Sequence, residues 1–295
     1  MKINSVSFVH ANNHDEDGLK DAIKKSLAMI DFSLPKNIRR IVIKPNLCYY
    51  YHPSTGETTG KAFIGSLIDV FREIAPNLEF FVVESDASAM RCDQAFKLLE
   101  YDKLAEEKQI KLLNLCKEES KEISIKITNK SLSFKIPNLF LSNNTFFVNV
   151  PKIKYMGSVK ITCALKNTFG CNAVKKKSVY HSALAEAIVG LNSLIKTNLV
   201  VVDGLIVNGK FTKRLNLVMA CENPVAADAA ASTLLGINPQ SVTQITLACK
   251  EKLGEIKFNP IGDYEYFLNS FPRKGLRDDL IYHLASTYVK LFHKA

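Results

Sequence analysis

Along this chain, short runs of uninterrupted apolar residues alternate with longer stretches whose apolar positions recur every three or four residues. The first kind predicts buried strands and the second amphipathic helices. Val6 to Val9 reads as a first strand, and Gly18 to Asp31 as a helix with Leu19, Ile23, Leu27 and Ile30 on one face. Ile41-Val42-Ile43 predicts a buried strand ending at Lys44-Pro45-Asn46, because proline offers no N–H to a sheet ladder. A loop over 49–60, a helix over 61–74 and a strand over 80–83 follow, the strand stopping at Glu84-Ser85-Asp86. Cys92 to Lys108 reads as one helix and Ile110 to Leu113 as extended chain.

Ile123, Ile125 and Ile127 alternate with polar residues, as do Leu132, Phe134 and Ile136. With Asn129-Lys130 between them, they predict a β-hairpin. Phe146 to Val150 is a further strand ending in proline, at Pro151-Lys152. Leu184, Ile188, Leu191 and Ile195 mark a helix, and Leu199 to Val202 a strand ending at Asp203-Gly204. Val218 to Ala220 is a short strand; 226–235 and 242–252 read as helices, and 275–294 as an amphipathic C-terminal helix. Strand and helix alternate through most of the chain. The expected class is therefore α/β, a mostly parallel sheet covered by helices. It forms one unit, or two lobes over 1–150 and 151–270 with a cleft between them.

Composition narrows the partners. The net charge of +10 favours anionic ones. The dense run Lys175-Lys176-Lys177 stands without a zinc-finger or RNA-binding motif, so nucleic acid is not the favoured partner and the run reads as a solvated loop. Seven scattered cysteines form no CxxC, which removes zinc ribbons and ferredoxin-type cluster sites. They read as reduced core thiols, and with no targeting segment or membrane-spanning run the expected compartment is the cytoplasm.

In open α/β sheets, ligands bind beyond the carboxyl ends of strands. Four predicted strand ends carry polar groups: Lys44 with Asn46, Glu84, Lys152 with Lys154, and Asp203. Lysine suits phosphate or carboxylate as a point charge, and asparagine both donates and accepts. Thr58 and Thr59 precede a helix, where they either cap it or help its free N–H groups to hold an anion. Over 158–171, a helix would put Thr162 and Lys166 on one face. A partly buried Lys166 would act as a base or amine nucleophile, or else cap the helix end. Asp228 sits in an alanine-rich helix, where an acid calls for a lysine partner or a ligand.

The blocks Lys44-Pro45-Asn46, Thr58-Thr59, Glu84-Ser85, Pro151-Lys152, Thr162 to Gly170, His181, Asp203-Gly204 and Asn223-Pro224 to Asp228 stand in an order that resembles the family called domain of unknown function 362. The resemblance spans about 40–255. It implies an α/β fold, relatives that often carry an iron–sulfur ferredoxin module, and a functional His181. Two departures stand out: Tyr155-Met156 replaces the family's Thr-His after Lys154, and 205–213 replaces a glycine- and proline-rich loop. A more distant similarity is to lactate racemase-like proteins, through Thr162 to Lys166 and His181.

Three functions are therefore carried forward. The first is an enzyme for a small carboxylate or phosphate metabolite, of isomerase or lyase type. Lys44, Lys152, Lys154, Asn46, Thr58, Thr59, Thr162, Asn167 and Asp228 would bind, and Lys166 and His181 would move protons with Glu84 or Asp203. The second is a redox accessory protein holding a metal or cluster through Cys163, Cys171 and His181. The third is a binding protein for nucleic acid or another anionic surface. The sequence names no cofactor and no oligomeric state.

Overall fold

The computed structural model describes residues 4–12, 16–47 and 49–273. The C-terminal helix expected over 275–294 lies outside the described residues, and so does Cys48. The chain opens with β1 (Asn4–His10), α1 (Glu16–Met29), β2 (Arg40–Pro45), α2 (Lys61–Ile74), β3 (Glu79–Glu84), α3 (Cys92–Leu98), α4 (Tyr101–Glu107) and β4 (Lys111–Asn114). The hairpin β5 (Ser120–Ile127) and β6 (Lys130–Pro137) follows, then β7 (Thr145–Val150), β8 (Lys154–Met156), β9 (Lys160–Thr162), α5 (Ala164–Phe169) and α6 (Leu184–Leu194). The described chain closes with β10 (Leu199–Asn208), β11 (Thr212–Cys221), α7 (Pro224–Leu234), α8 (Thr243–Lys250), β12 (Phe258–Gly262) and α9 (Tyr264–Ser270).

The main sheet runs β12-β1-β11-β10-β7-β2-β3-β4, with β8 and β9 attached beside β10 and the β5–β6 hairpin standing apart. Along β10-β7-β2-β3-β4 every neighbouring pair is parallel. Within the main run only β11 opposes its neighbours. Strands from both halves of the chain interleave here: β7 lies between β2 and β10.

The uninterrupted apolar runs are explained by burial on both faces, since successive strand residues point to opposite sides. Ile41, Ile43, Val82, Val148, Leu199 and Val201 face one apolar layer, together with α1 and α2 residues such as Ile23, Leu67 and Phe71. Val42, Val83, Phe147, Val200 and Val202 face the other, with Leu165 of α5, Ile188 of α6 and Ala227 of α7. Among the described residues no helix is long and apolar enough to cross a membrane.

Several elements differ from expectation. The helix expected over 92–108 is broken at Glu100, whose φ of 58° is left-handed. The break lets Tyr101 turn inward, where its hydroxyl donates to the Thr59 carbonyl at 3.0 Å. The strand expected to stop at Asp203 continues to Asn208 and pairs with β11, so 205–213 is largely hairpin rather than loop. β12 and α9 carried too weak a pattern to be expected.

The register of β10 shifts between Gly204 and Ile206. An added Cβ at Gly204 would meet the Leu217 side chain at 2.8 Å and its carbonyl at 2.9 Å. Gly204→Ala is therefore expected to destabilise the fold by roughly 1–3 kcal/mol through overpacking, as measured by urea unfolding.

Candidate functional site

The chain leaves β2 towards β3 on one side and leaves β7 towards β10 on the other, so adjacent strands β2 and β7 mark the point where strand order reverses. Crevices in open α/β sheets form at the carboxyl ends of such strands. Most of the polar candidates meet there. Lys44, at the end of β2, reaches the Glu84 carboxylate at the end of β3, 2.6 Å away, and both side chains are almost completely buried. Glu84 also accepts from the main-chain N–H groups of Leu47 and Ser85, at 3.3 and 2.9 Å. Asn167 of α5 donates to the Lys44 carbonyl at 3.1 Å and to Asn149 of β7 at 2.7 Å. Asn149 in turn donates to the Ala164 carbonyl and the Thr168 hydroxyl, at 2.8 and 2.9 Å. Two strands and a helix are thus fastened together by amides around one ion pair.

A second buried pair stands beside β7. Lys152 lies 3.0 Å from Asp203 of β10, and both are nearly inaccessible. Burial pushes the Lys152 ammonium below the usual lysine range, and the Asp203 carboxylate pulls it back up. Asp203 accepts from the Gly60 N–H at 3.0 Å, so the anion at the start of α2 is supplied by the protein itself. Thr59 accepts from the Asn46 N–H at 2.9 Å and donates to the Val150 carbonyl at 3.0 Å, closing the loop over the strand ends. Burial, with Asp203 and Glu84 nearby, holds the Tyr101 hydroxyl well above its usual range. Lys154 pairs with Glu57 at 3.1 Å and donates to its carbonyl at 3.0 Å.

These contacts correct the expected roles. Lys44, Lys152 and Lys154 do not line an open hollow as free cations. Each is buried and neutralised by a carboxylate, because an isolated ammonium would be too costly away from water. The fully buried Thr58 hydroxyl has no hydrogen-bond partner among the described residues.

The segment 158–171 is also corrected. Thr162 belongs to β9, which pairs with β8, and Cys163 has φ −150° and ψ −132°, so helix begins only at Ala164. Thr162 and Lys166 therefore do not share a helical face. Among the described residues, Asp228 of α7 pairs with no lysine: one carboxylate oxygen accepts from the Leu165 N–H at 3.2 Å, at the start of α5, beside the Cys163 thiol, and the other is buried without a hydrogen-bond partner. Burial raises the Asp228 carboxyl to about 7. His181 is exposed, on a 3-10 segment running from Lys177 to Ala183. Cys163 and Cys171 are buried thiols raised by desolvation, Cys171 to about 12. With His181 they do not form a ligand set; among the described residues no three His, Cys, Asp or Glu side chains are grouped to hold a metal.

The residue that sequence reasoning missed is Lys177. It belongs to the run read as a solvated loop, yet its side chain turns inward over the end of β3. Its ammonium donates to the Ser85 hydroxyl at 2.7 Å, the Asp86 carbonyl at 2.5 Å and the Val174 carbonyl at 3.2 Å. Ser85 donates to the Gly170 carbonyl, which links Lys177 to the end of α5. Among the described residues, no carboxylate lies within ion-pairing distance of Lys177, in contrast to Lys44, Lys152 and Lys154. Burial pushes its ammonium below the usual range. Next to the same strand ends, Tyr49 and Tyr50 both adopt left-handed backbone, φ 44° and 63°. The Tyr50 hydroxyl accepts from the Arg91 N–H at 2.7 Å, one anchor for that strained turn. At the opposite, amino-terminal edge of the sheet a cavity of about 310 Å³ is lined by Asn37, Phe140, Lys196 and Asn198; it contains none of the candidates.

The family profile described as domain of unknown function (DUF362) matches residues 41–233, from the start of β2 to the last turn of α7. The chain belongs to the DUF362 family. The matched span holds both ion pairs, the Asn149–Asn167 link and Lys177. A thylakoid-associated protein of Synechocystis sp. is 27% identical over 145 residues, which cover 45% of this chain and 44% of that protein. The chain thus spans less than half the length of that relative. A Thermotoga maritima protein of known crystal structure is 12% identical, with a TM-score of 0.42 over 66% of this chain and 51% of its own. In this DUF362 chain, Tyr155-Met156 lies in β8, and the departure over 205–213 is the β10–β11 hairpin with Phe211 exposed at its tip.

Lys44→Met leaves Glu84 buried without its counter-charge, and the expected cost is roughly 3–5 kcal/mol. Adding Glu84→Gln should recover part of it in chemical unfolding, since an amide needs no cation. For Asp228, the folded protein holds a proton between pH 3.8 and about 7 that the unfolded chain releases. Stability therefore falls as pH rises through that window, by at most about 4 kcal/mol at about 1.36 kcal/mol per pH unit. Asp228→Asn should flatten this slope in unfolding curves collected across the window.

Proposed function

We propose that this protein is an enzyme for a small anionic metabolite, a carboxylate or phosphate, and that it works by proton transfer at the carboxyl edge of β2, β3 and β7. The observation that carries the proposal is Lys177: an inward-turned lysine bonded only to neutral oxygens, one of them the Ser85 hydroxyl. A buried lysine without a counter-charge is shifted towards its uncharged form, which suits a general base. When protonated, the same group attracts an anion, helped by Lys175 and Lys176, which are exposed on the same loop.

The two buried ion pairs then act as scaffold. They cancel internally, and 175–177 adds positive charge beside them. Asn167 and Asn149 hold β2, β7 and α5 in register, and Gly170 brings the end of α5 against Lys44. Proton transfer beside a carbonyl, as in an isomerase or lyase, is the reaction class proposed, with Lys177 in the part first given to Lys166 and His181. The six described cysteines are all free thiols, which supports placing this activity in a reducing compartment such as the cytoplasm.

The test is anion binding followed by calorimetry and thermal shift, using phosphate and small carboxylates as probes. A bound anion should raise the melting temperature of the wild type. Lys177→Met should weaken binding about tenfold, the equivalent of about 1.4 kcal/mol. Unchanged affinity in Lys177→Met, in a variant that melts like the wild type, would remove the proposed centre.

A further inference from the structure

Resting on the anion site just described, we propose that Lys177 is an amine nucleophile that forms an imine with the carbonyl carbon of a small 2-oxo carboxylate. The geometry behind it is the set of atoms around Nζ. Two of its three acceptors are main-chain carbonyls, of Asp86 and Val174, and the third is the Ser85 hydroxyl. An ammonium donates to all three. An uncharged amine needs acceptors for only two N–H groups, and the Ser85 hydroxyl can give up its bond to the Gly170 carbonyl and turn its proton to the lone pair. The same shell therefore holds Lys177 in both protonation states. A carboxylate partner would favour the charged form, as Asp203 does against burial at Lys152.

The ionisable groups near Lys177 support this assignment. Glu84 and Lys44 neutralise each other, and the Asp86 carboxylate, in the residue whose carbonyl Lys177 touches, is met by the Cys92 N–H and the Asn114 amide. The thiols of Cys116 and Cys171 are pushed up by burial and carry no charge at neutral pH. Lys175 lies close enough to act on the same Cys116 thiol and adds positive charge to this corner. Lys177 stays partly exposed, whereas Lys44 and Lys152 are sealed.

The step balances without an oxidant or reductant. The Lys177 lone pair attacks the carbonyl carbon, a C–N bond forms, and the carbonyl π electrons move to oxygen. One proton passes from nitrogen to that oxygen, with Ser85 placed to relay it. The nitrogen lone pair then expels the hydroxyl, which takes a second proton from solvent at the partly exposed face and leaves as water, so that a protonated C=N bond remains. The protonated imine draws electrons from the neighbouring carbon, where a C–H or C–C bond can then break. The carboxylate of the 2-oxo acid would face the exposed ammonium groups of Lys175 and Lys176.

Incubation of the full chain with pyruvate or glyoxylate and sodium cyanoborohydride, then peptide mapping by mass spectrometry, tests the proposal. The expected result is a reduced adduct on Lys177 that forms faster than on Lys175 and Lys176, exposed controls in the same stretch. Its rate should rise with pH along a limb lying below the 10.5 of ordinary lysine. Lys177→Arg should abolish that adduct and leave the background on its neighbours unchanged, and Ser85→Ala should slow it. Equal labelling of Lys175 and Lys177 in the wild type overturns the proposal. Phosphate raises the melting temperature through the anion site alone, so a Lys177-dependent phosphate shift without a Lys177 adduct overturns the imine and leaves the anion site standing. Failure of both overturns both.

Discussion

The contact between Lys44 and Glu84 is the constraint around which the sheet edge is arranged. Two opposite charges sit out of water at the ends of adjacent strands, and neither can be left without the other. Their remaining hydrogen-bonding capacity must also be met. Main-chain N–H groups of Leu47 and Ser85 serve Glu84, and the Pro45 carbonyl accepts from Lys44 at 2.8 Å. The turn after Pro45, the turn after Glu84 and the end of α5 are therefore fixed together. Gly170 leaves just the space that the Lys44 side chain needs, since a Cβ there would lie 2.9 Å from its Cε.

The second pair, Lys152 with Asp203, repeats the device on the other side of β7 and ties β10 to the start of α2 through the Gly60 N–H. Both pairs cancel their own charge. Four ionised side chains thus become a rigid, nearly neutral wall at the point where the strand order reverses. Beside this wall stands Lys177, held by oxygen atoms that carry no charge, while the buried Asp86 carboxylate next to it is met by the Cys92 N–H and the Asn114 amide. A rigid wall with one responsive group beside it is an arrangement that suits proton or carbonyl chemistry, because the responsive group can change state without disturbing the wall.

Much of the candidate edge was legible in the sequence. Lys44, Glu84, Lys152 and Asp203 were all expected at strand ends, because apolar runs stop there and proline follows two of them. Asn167 was named as well, although its amide serves Lys44 and Asn149 rather than a ligand. What could not be read was the pairing: a lysine and a glutamate forty positions apart look the same in sequence whether they face a hollow or each other. Lys177 was missed because three consecutive lysines resemble a solvated loop, and nothing local shows that the third turns inward. The helix over 158–171 failed because β8 competes for residues 160–162 and only the sheet makes that competition visible.

By itself the sequence determined the α/β class, the alternation of strand and helix, and the polar residues that close each strand. Periodicity is a local property, and burial on both faces of a sheet writes it directly into continuous apolar runs. Tertiary structure decided which charges are cancelled and which is not, where β10 ends, and that Asp228 closes the start of α5. Those outcomes depend on distances between residues far apart in the chain and on the exclusion of water from between them, and neither is encoded in any single segment.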